Sequence, residues 1–206
     1  MQGELLQLFP TPVGKLKGRA PTDKENHAIN KYLKDLRQNK GNKITDHKNI
    51  LDDVDLADLK AEITSMVNQF FDMVYRPVEP VELYITTSWG NIATRGEYHH
   101  EHFHFNSLLS GTYYILADPT DSIVFKKNAR DHLPLLTYYR ENEANPFNSP
   151  SYTLYVEQYD IALFPSTLAH LVDPLERDGA RISISFNTYA KGNFGSPDSL
   201  TQLTLR

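Results

Sequence analysis

Histidines are concentrated in one short stretch of this chain. Four of the eight fall between residues 99 and 104, in the run that starts at Tyr98 and ends at His104. Neutral imidazole is a strong ligand for iron, zinc, copper and nickel. Because residues i and i+2 of a β-strand point to the same face, His102 and His104 can bind one ion together. The run therefore predicts a metal site that needs a further ligand from elsewhere.

The best candidate for that third ligand is His170. It follows an apolar, strand-like run over residues 160–164 and a short turn. A polar side chain in apolar surroundings needs a partner, which in isolation is more often a backbone carbonyl than a metal. The upstream histidines reverse that preference and favour a site of three imidazoles. His27, His47 and His132 stand in polar surroundings and are expected on the surface.

A second pairing on the same predicted strand uses His99 and Glu101. These two residues are also i and i+2, the spacing of a site with two histidines and one carboxylate. Strand alternation puts them on the face opposite His102 and His104 and does not decide which face turns inward. Glu101 can equally be a hydrogen-bond partner of a ligand imidazole. Both pairings therefore remain open at the level of the sequence.

Polar and apolar side chains alternate from Arg181 to Asn187. Such a polar row usually faces solvent, since antiparallel sheets commonly have one wet face. This row, however, starts eleven residues after His170, which returns the chain to the side of the proposed metal site. An inward arginine binds a carboxylate through two parallel hydrogen bonds, and Ser183 can add one more. We therefore expect a small dicarboxylate beside the metal, held by Arg181 and Ser183.

The elements that position these residues form one predicted domain over residues 1–206, with a helical part over 1–80 and a β-rich core over 81–190. Thr22 and Glu25 have the spacing of a capping box, and an apolar face from Ile29 to Leu36 predicts a helix that ends at Asn39–Asn42. A second amphipathic helix is predicted from about Asp55.

The β-rich part is mainly short runs of Val, Ile, Thr, Tyr and Phe separated by turn residues. Eight strands without intervening helices indicate a sandwich or a jelly roll. A polar segment over residues 128–150 is predicted to be a long loop, of the kind that often contacts substrate. The predicted strands cover residues 82–88, 97–105, 111–117, 122–126, 152–157, 160–164, 169–172 and 180–189.

The amino-acid composition argues against several classes of function. A net charge of -5 without a basic run argues against a nucleic-acid partner, because phosphate binding needs clustered lysines and arginines. The chain has no cysteine, which excludes disulfides, thiolate metal ligands and cysteine nucleophiles. No stretch approaches the roughly 20 apolar residues of a membrane span. The expectation is a cytoplasmic protein without a membrane partner.

The ordered set of motifs resembles the 2-oxoglutarate/Fe(II) oxygenases of bacteria and phages, a prolyl-hydroxylase-like group with a double-stranded β-helix, or jelly-roll, barrel. The resemblance covers nearly the whole chain, and its specificity lies in the order of motifs that are individually weak. The matching segments are Leu8–Val13, Ser88–Asn91, His102–His104, Ser110–Tyr114, Leu163–His170 and Arg181–Asn187.

This resemblance implies Fe(II) and 2-oxoglutarate as metal and co-substrate, and hydroxylation of an unidentified substrate with release of succinate and CO2. It implies iron ligands at His102, His104 and His170. Arg181, with Ser183, would bind the distal carboxylate of 2-oxoglutarate. The residues implied near the co-substrate are Tyr113 or Tyr114, of which only one can point inward, together with Trp89 and Asn91.

Two departures from the family pattern concern the metal site. The wider superfamily usually has Asp or Glu where this chain has His104, and replacing a carboxylate by imidazole makes the site more positive. Family members commonly have proline after the second histidine, where this chain has Phe105.

The alternatives are a cupin-type metal protein that does not use 2-oxoglutarate and a β-sandwich module with a structural metal. The spacing from Gly96 to His102 is cupin-like, but the glutamate expected after His104 is absent and a cupin gives no role to Arg181. A structural site would be closed by four protein ligands, whereas three leave it open. The sequence leaves undecided whether the substrate is a peptide or a small molecule, and it does not determine the oligomeric state.

Overall fold

The computed structural model describes residues 4, 6–128, 143 and 145–206. Two antiparallel β-sheets face each other, and two α-helices lie in the N-terminal part of the chain. The strands are β1 (Gly14–Lys17), β2 (Leu36–Gln38), β3 (Lys43–Thr45), β4 (Val81–Thr94), β5 (His99–His102), β6 (Leu109–Leu116), β7 (Ser122–Lys126), β8 (Ser151–Tyr155), β9 (Asp160–Pro165), β10 (His170–Val172), β11 (Ala180–Phe194) and β12 (Leu203–Leu205). The helices are α1 (Asp23–Tyr32) and α2 (Ala57–Tyr75).

The larger sheet has the strand order β1-β9-β6-β11-β4-β3-β2, with β12 paired to β11. The smaller sheet has the order β5-β10-β7-β8. This arrangement confirms the predicted jelly roll, and all eight strands predicted from the alternating runs are present. The N-terminal part is not purely helical, because β1, β2 and β3 lie within it and extend the larger sheet.

The first helix begins as the sequence predicts and ends earlier. The backbone N–H of Glu25 donates to the Thr22 hydroxyl at 3.3 Å, and the Thr22 N–H donates to the Glu25 carboxylate at 2.7 Å, which completes the capping box. The helix ends at Tyr32, so the predicted end at Asn39–Asn42 is wrong. Residues 36–38 pair with β3 instead, because a partner strand supplies their backbone hydrogen bonds.

The turn between β2 and β3 packs against the histidine-rich strand. Tyr98 donates its N–H to the carbonyl of Gly41 at 2.9 Å. A Cβ atom on Gly41 would lie 2.6 Å from the Tyr98 carbonyl oxygen, closer than real Cβ contacts. Glycine therefore lets this turn lie directly beside β5, and it brings Lys40 and Asn42 to the metal-site end of the barrel.

The second helix closes the outer face of the larger sheet. Its predicted amphipathic character is confirmed, since Leu59, Ile63, Val67 and Phe70 are buried on one side. These side chains share one core cluster with apolar residues of β4, β6, β9 and β11. Each fully buried side chain of this kind contributes roughly 1.5–3 kcal/mol of transfer free energy, so the helix holds the sheet rigid behind the site.

The central strand β11 separates this core from the interior of the barrel. Ile184 and Phe186 are fully buried on its helix side. Arg181, Ser183 and Ser185 alternate with them and line the cavity between the two sheets. The polar row predicted from the sequence therefore faces the barrel interior, not the solvent.

Most of the predicted loop over residues 128–150, and His132 within it, lie outside the described residues. His27 and His47 are exposed, as predicted. No helix among the described residues has the length and the apolar character that crossing a membrane requires.

Candidate metal and co-substrate site

Backbone pairing in the smaller sheet positions two of the predicted ligands. His102 on β5 lies directly opposite His170 on β10. His104 lies two residues beyond the end of β5, and its N–H donates to the carbonyl of Ser166 at 2.8 Å. This bond ties the loop after β5 to the turn that precedes His170, so all three imidazoles reach one place.

The three imidazoles form a group that can hold a metal ion. One ring nitrogen from each of His102, His104 and His170 lies within 4.8 Å of the others. It is the only such group of three or more potential ligands among the described residues. Ring centroids are 4.3 Å apart for His102 and His170 and 5.1 Å for each of the other two pairs.

Hydrogen bonds fix the tautomers of His102 and His170. The Nδ1 atom of His102 lies 2.8 Å from the His100 carbonyl oxygen, and that of His170 lies 2.9 Å from the Leu168 carbonyl oxygen. Since a carbonyl only accepts, each Nδ1 carries the hydrogen and donates it. Each Nε2 therefore has a free lone pair, the form in which neutral histidine binds metals.

His104 is held by side chains instead of backbone. Its Nδ1 donates to Asn187 Oδ1 at 2.6 Å and also lies 2.7 Å from the Ser110 hydroxyl. Ser110 in turn donates to Asn187 Oδ1 at 2.8 Å and contacts the Ser166 hydroxyl at 2.8 Å. Asn187 is oriented by its own Nδ2, which donates to Thr87 at 3.2 Å. This network leaves Nε2 of His104 free as well.

Burial favours the neutral, metal-binding form of the three rings. Removal from water lowers the pKa of His170 to about 3 and that of His102 to about 4, and it also lowers the pKa of His104. The neighbouring imidazoles further disfavour protonation of His102 and His170. The donor set thus fits a divalent transition metal with three nitrogen ligands and open positions.

A buried arginine lies in the same cavity. Arg181 is 8% exposed and lines the space shared with the three histidines. Its Nη1 lies 3.7 Å from Asp121 Oδ1, beyond hydrogen-bond distance, and no described residue accepts a hydrogen bond from its guanidinium. Asp121 instead accepts from Arg177 at 2.7 Å. The N–H groups of Arg181 are thus available to an anion in the cavity.

Residues 87–187 match the model of a protein family described as "Putative 2OG-Fe(II) oxygenase". Residues 87–187 therefore belong to the 2OG-Fe(II) oxygenase family. Fe(II) and 2-oxoglutarate, expected from the sequence, are the metal and the co-substrate of that family, and the chemistry is that of an oxidoreductase.

Solved structures agree on the fold of this oxygenase. The chain is similar to HygX from Streptomyces hygroscopicus with nickel, 2-oxoglutarate and hygromycin B bound, at 14% identity and a TM-score of 0.55, over 86% of this chain and 82% of that one. The chain is also similar to a Pseudomonas putida prolyl-4-hydroxylase, at 11% identity and a TM-score of 0.55, over 86% of this chain and 92% of that one. Its similarity to the carbocyclase SnoK from nogalamycin biosynthesis has 10% identity and a TM-score of 0.58, over 86% of this chain and 80% of that one. No curated protein sequence matches the chain.

Within the oxygenase, the alternative pair His99 and Glu101 does not find a third ligand among the described residues. Glu101 is exposed. His99 lines the cavity on the same side as His102, with ring centroids 4.4 Å apart and planes 14° from parallel. A register shift between β5 and β10 explains this, because Val172 pairs with His99 while His170 pairs with His102. Strict alternation along β5 therefore fails.

The neighbouring tyrosines of the oxygenase have opposite orientations. Tyr113 points to the helix side, where its hydroxyl donates to the Arg19 carbonyl at 2.6 Å. Tyr114 lines the cavity with Ser183 and Asn91. The amide of Asn91 donates to Ser185 at 3.0 Å, and its buried Oδ1 has no partner among the described residues. Such an orphaned acceptor in the cavity wall needs a partner that donates an N–H or O–H group, which the carboxylates of 2-oxoglutarate do not have.

Two positioning residues of the oxygenase were not assigned from the sequence. Asn187 stands at the end of the polar row on β11, but its role depends on the contact with His104 across the barrel. Asp121 is 3% exposed and lies between Arg177 and Arg181. Neither has a sequence motif of its own. The segment Ser110–Tyr114, which carries the Ser-Gly-x-Tyr-Tyr motif, did contain a usable signal for this network, because Ser110 contacts both His104 and Asn187.

Proposed function

We propose that the chain is an Fe(II)- and 2-oxoglutarate-dependent hydroxylase. The reaction converts a substrate C–H bond to C–OH with one atom of dioxygen. The other atom enters succinate as 2-oxoglutarate loses CO2. The observation that carries this proposal is the convergence in one cavity of three free imidazole nitrogens and a buried guanidinium that donates no hydrogen bond to a described residue.

In this proposal His102, His104 and His170 hold the iron. Their Nδ1–H groups are already bonded to acceptors, so binding requires neither a tautomer change nor the loss of a proton. Bound iron supplies the open positions and the redox chemistry of oxygen activation. The protein supplies orientation and the exclusion of water, and the 5% exposure of His170 supports the latter.

Arg181 is assigned to the distal carboxylate of 2-oxoglutarate, with Ser183 and Tyr114 beside it. Arg181 and Ser183 are i and i+2 on β11, and Ser183 pairs with Tyr114 of β6 and Asn91 of β4. A planar guanidinium binds a carboxylate in a bidentate manner, which fixes orientation as well as affinity. Two strands thus present hydroxyl groups to one anion.

The buried arginine is also what favours this function over a cupin-type metal protein. A guanidinium that is 8% exposed and not hydrogen-bonded by any described residue is costly unless a ligand compensates it. A cupin that does not use 2-oxoglutarate gives no such ligand. The proposed hydroxylase does.

The experiment that tests the proposal is an anaerobic titration of the Fe(II)-loaded protein with 2-oxoglutarate. We expect a metal-to-ligand charge-transfer band in the wild type, and succinate formation once air and a substrate are present. Arg181→Ala should keep iron and weaken 2-oxoglutarate by about 100-fold or more, the effect of losing a bidentate ion pair. Arg95→Ala is the matched control, since Arg95 is exposed and pairs only with Asp178 among the described residues.

The titration tests the assigned metal ligands and the assigned 2-oxoglutarate anchor separately. His170→Ala should abolish iron binding and with it the band. If Arg181→Ala bound 2-oxoglutarate as tightly as the wild type, the anchor would be wrong. If the wild type loaded iron and gave no band, a metal enzyme that does not use 2-oxoglutarate would replace this proposal.

A further inference from the structure

The cavity of this barrel has an unusual charge composition. Arg181 is the only permanently charged side chain among the described residues that line it. No aspartate or glutamate from the described chain is present, although four histidines are. Imidazole carries no permanent charge, and the three proposed ligands, His102, His104 and His170, bind a metal in the neutral form.

The charges around the cavity can be counted. Asp121 is the one buried carboxylate in contact with Arg181, and Arg177 shares it, so the three groups together carry one positive charge. A divalent metal adds two positive charges and 2-oxoglutarate adds two negative ones. One positive charge therefore remains in the loaded site. A carboxylate in the place of His104 would have removed it.

A second basic group lies at the rim. Lys40 is exposed in the turn that contacts β5, and it has no ion pair with another described residue. Asn42, two residues after Lys40 in the same turn, lines the cavity, as His99 does. The residual positive charge thus continues from the metal site to the mouth of the cavity.

We propose that the primary substrate carries a single carboxylate, which lies beside His99 and Asn42 between the metal site and Lys40. An isolated buried charge is costly, and one monoanion brings the loaded site to neutrality. A carboxylate has this charge, whereas a phosphate monoester has nearly twice as much at pH 7. This inference rests on the proposed binding of iron and 2-oxoglutarate.

The test uses the protein loaded with Ni(II), which does not turn over, and saturated with 2-oxoglutarate. Phenylacetate and phenylacetamide are a matched pair of probes that differ by one charge. Binding is measured by calorimetry and by the emission of Trp89, the only tryptophan of the chain, which lines the cavity. At an effective dielectric constant of about 20, one charge within about 7 Å predicts a preference of at least tenfold for the carboxylate.

Variants test the origin of that preference. His104→Asp supplies the missing negative charge, so the ratio of the two affinities should fall toward one while metal is still bound. Lys40→Gln should reduce the ratio a few-fold. Lys34→Gln is the matched control, because Lys34 is an exposed lysine of the same region that does not line the cavity. It should leave the ratio unchanged.

Each other result overturns a defined part of the reasoning. If the Ni(II) protein does not bind 2-oxoglutarate, the proposed function fails first. If it does, but amide and carboxylate bind equally, only the substrate inference is wrong. Tighter binding of phenyl phosphate than of phenylacetate would contradict the charge count. Displacement of phenylacetate by millimolar chloride would assign the compensating anion to a small inorganic ion instead.

Discussion

Replacing Asn187 by leucine tests how the protein keeps His104 oriented toward the metal. Asn187 Oδ1 accepts from His104 Nδ1 at 2.6 Å and from Ser110 at 2.8 Å. Leucine has the same branched shape, is somewhat larger and has no acceptor, so the change removes these hydrogen bonds. The ring of His104 is left with the Ser110 hydroxyl as its only partner.

The expected loss of metal affinity depends on the hydrogen bond that His104 keeps with Ser110. Ser110 can rotate to accept from His104 while it donates to Ser166, so the Nδ1–H is not orphaned completely. Because the donor keeps one acceptor, the loss is that of a single hydrogen bond, about 0.5–1.5 kcal/mol. If the whole cost falls on the metal-bound form, metal affinity decreases by a factor of roughly 2 to 13, at the lower end of the 10- to 100-fold effect typical of such outer partners.

Metal affinity can be measured by competition with a chelator, with the emission of Trp89 as the signal. Trp89 lies against His104, with ring centroids 6.0 Å apart. Asn187→Asp is the matched variant, because aspartate keeps the acceptor and adds a negative charge. We expect metal affinity to decrease in the order Asp, Asn, Leu. Urea unfolding of both variants provides the control for stability.

Wild-type metal affinity in the folded Asn187→Leu variant would refute the reasoning. It would mean that Ser110 alone orients His104. Combining the change with Ser110→Ala then decides the matter, since the double variant removes every side-chain acceptor that contacts His104. If the double variant also bound metal normally, His104 would not be a ligand.

Three further predictions concern stability and pH. Gly111→Ala should cost about 1–3 kcal/mol in urea unfolding, because the new Cβ would lie 2.7 Å from Leu163 Cδ2. Glu25→Gln should lower the free energy of unfolding by about 1–2 kcal/mol at pH 7. Mainly through its hydrogen bonds with Arg19, the pKa of Glu25 is lowered to about 2, which alone would imply about 3 kcal/mol. The expected cost is smaller because Arg19 is partly exposed to solvent, which screens the ion pair. Glu25 stabilises the fold only while ionised, so the difference between the two proteins should vanish as the pH falls from about 4.5 toward 2. Protonation of His102 and His170 should not weaken metal binding between pH 5.5 and 8, because burial lowers their pKa to about 4 and about 3. A decrease in metal affinity below pH 7 that involves more than one proton would contradict these values.

The long strands and the helix starts were predictable because their signals are local. Alternation along β11 and the capping box at Thr22 depend only on nearby residues, and both are present in the structure. The strands β1, β2, β3 and β12 were missed. Each has three or four residues and exists only because a neighbouring strand supplies hydrogen bonds, which no local pattern records.

The metal group was predictable from residue types and spacing, and its geometry was not. His104 lies beyond the end of β5, so the i, i+2 argument that paired it with His102 does not describe how it is held. Its position comes from the Ser166 carbonyl and the Asn187 amide, which are distant in the sequence. The inward turn of His99 likewise depends on a register shift between two strands.

The parts of the site are divided between the two sheets. His102 and His170 belong to the smaller sheet, whereas Arg181 and Ser183 belong to the larger one. A molecule that spans metal and guanidinium would therefore join the sheets as a removable cross-link. By mass action, occupancy should raise the melting temperature more for the metal and co-substrate together than for the metal alone. Resistance to unfolding in the cell would then follow the supply of a metabolite.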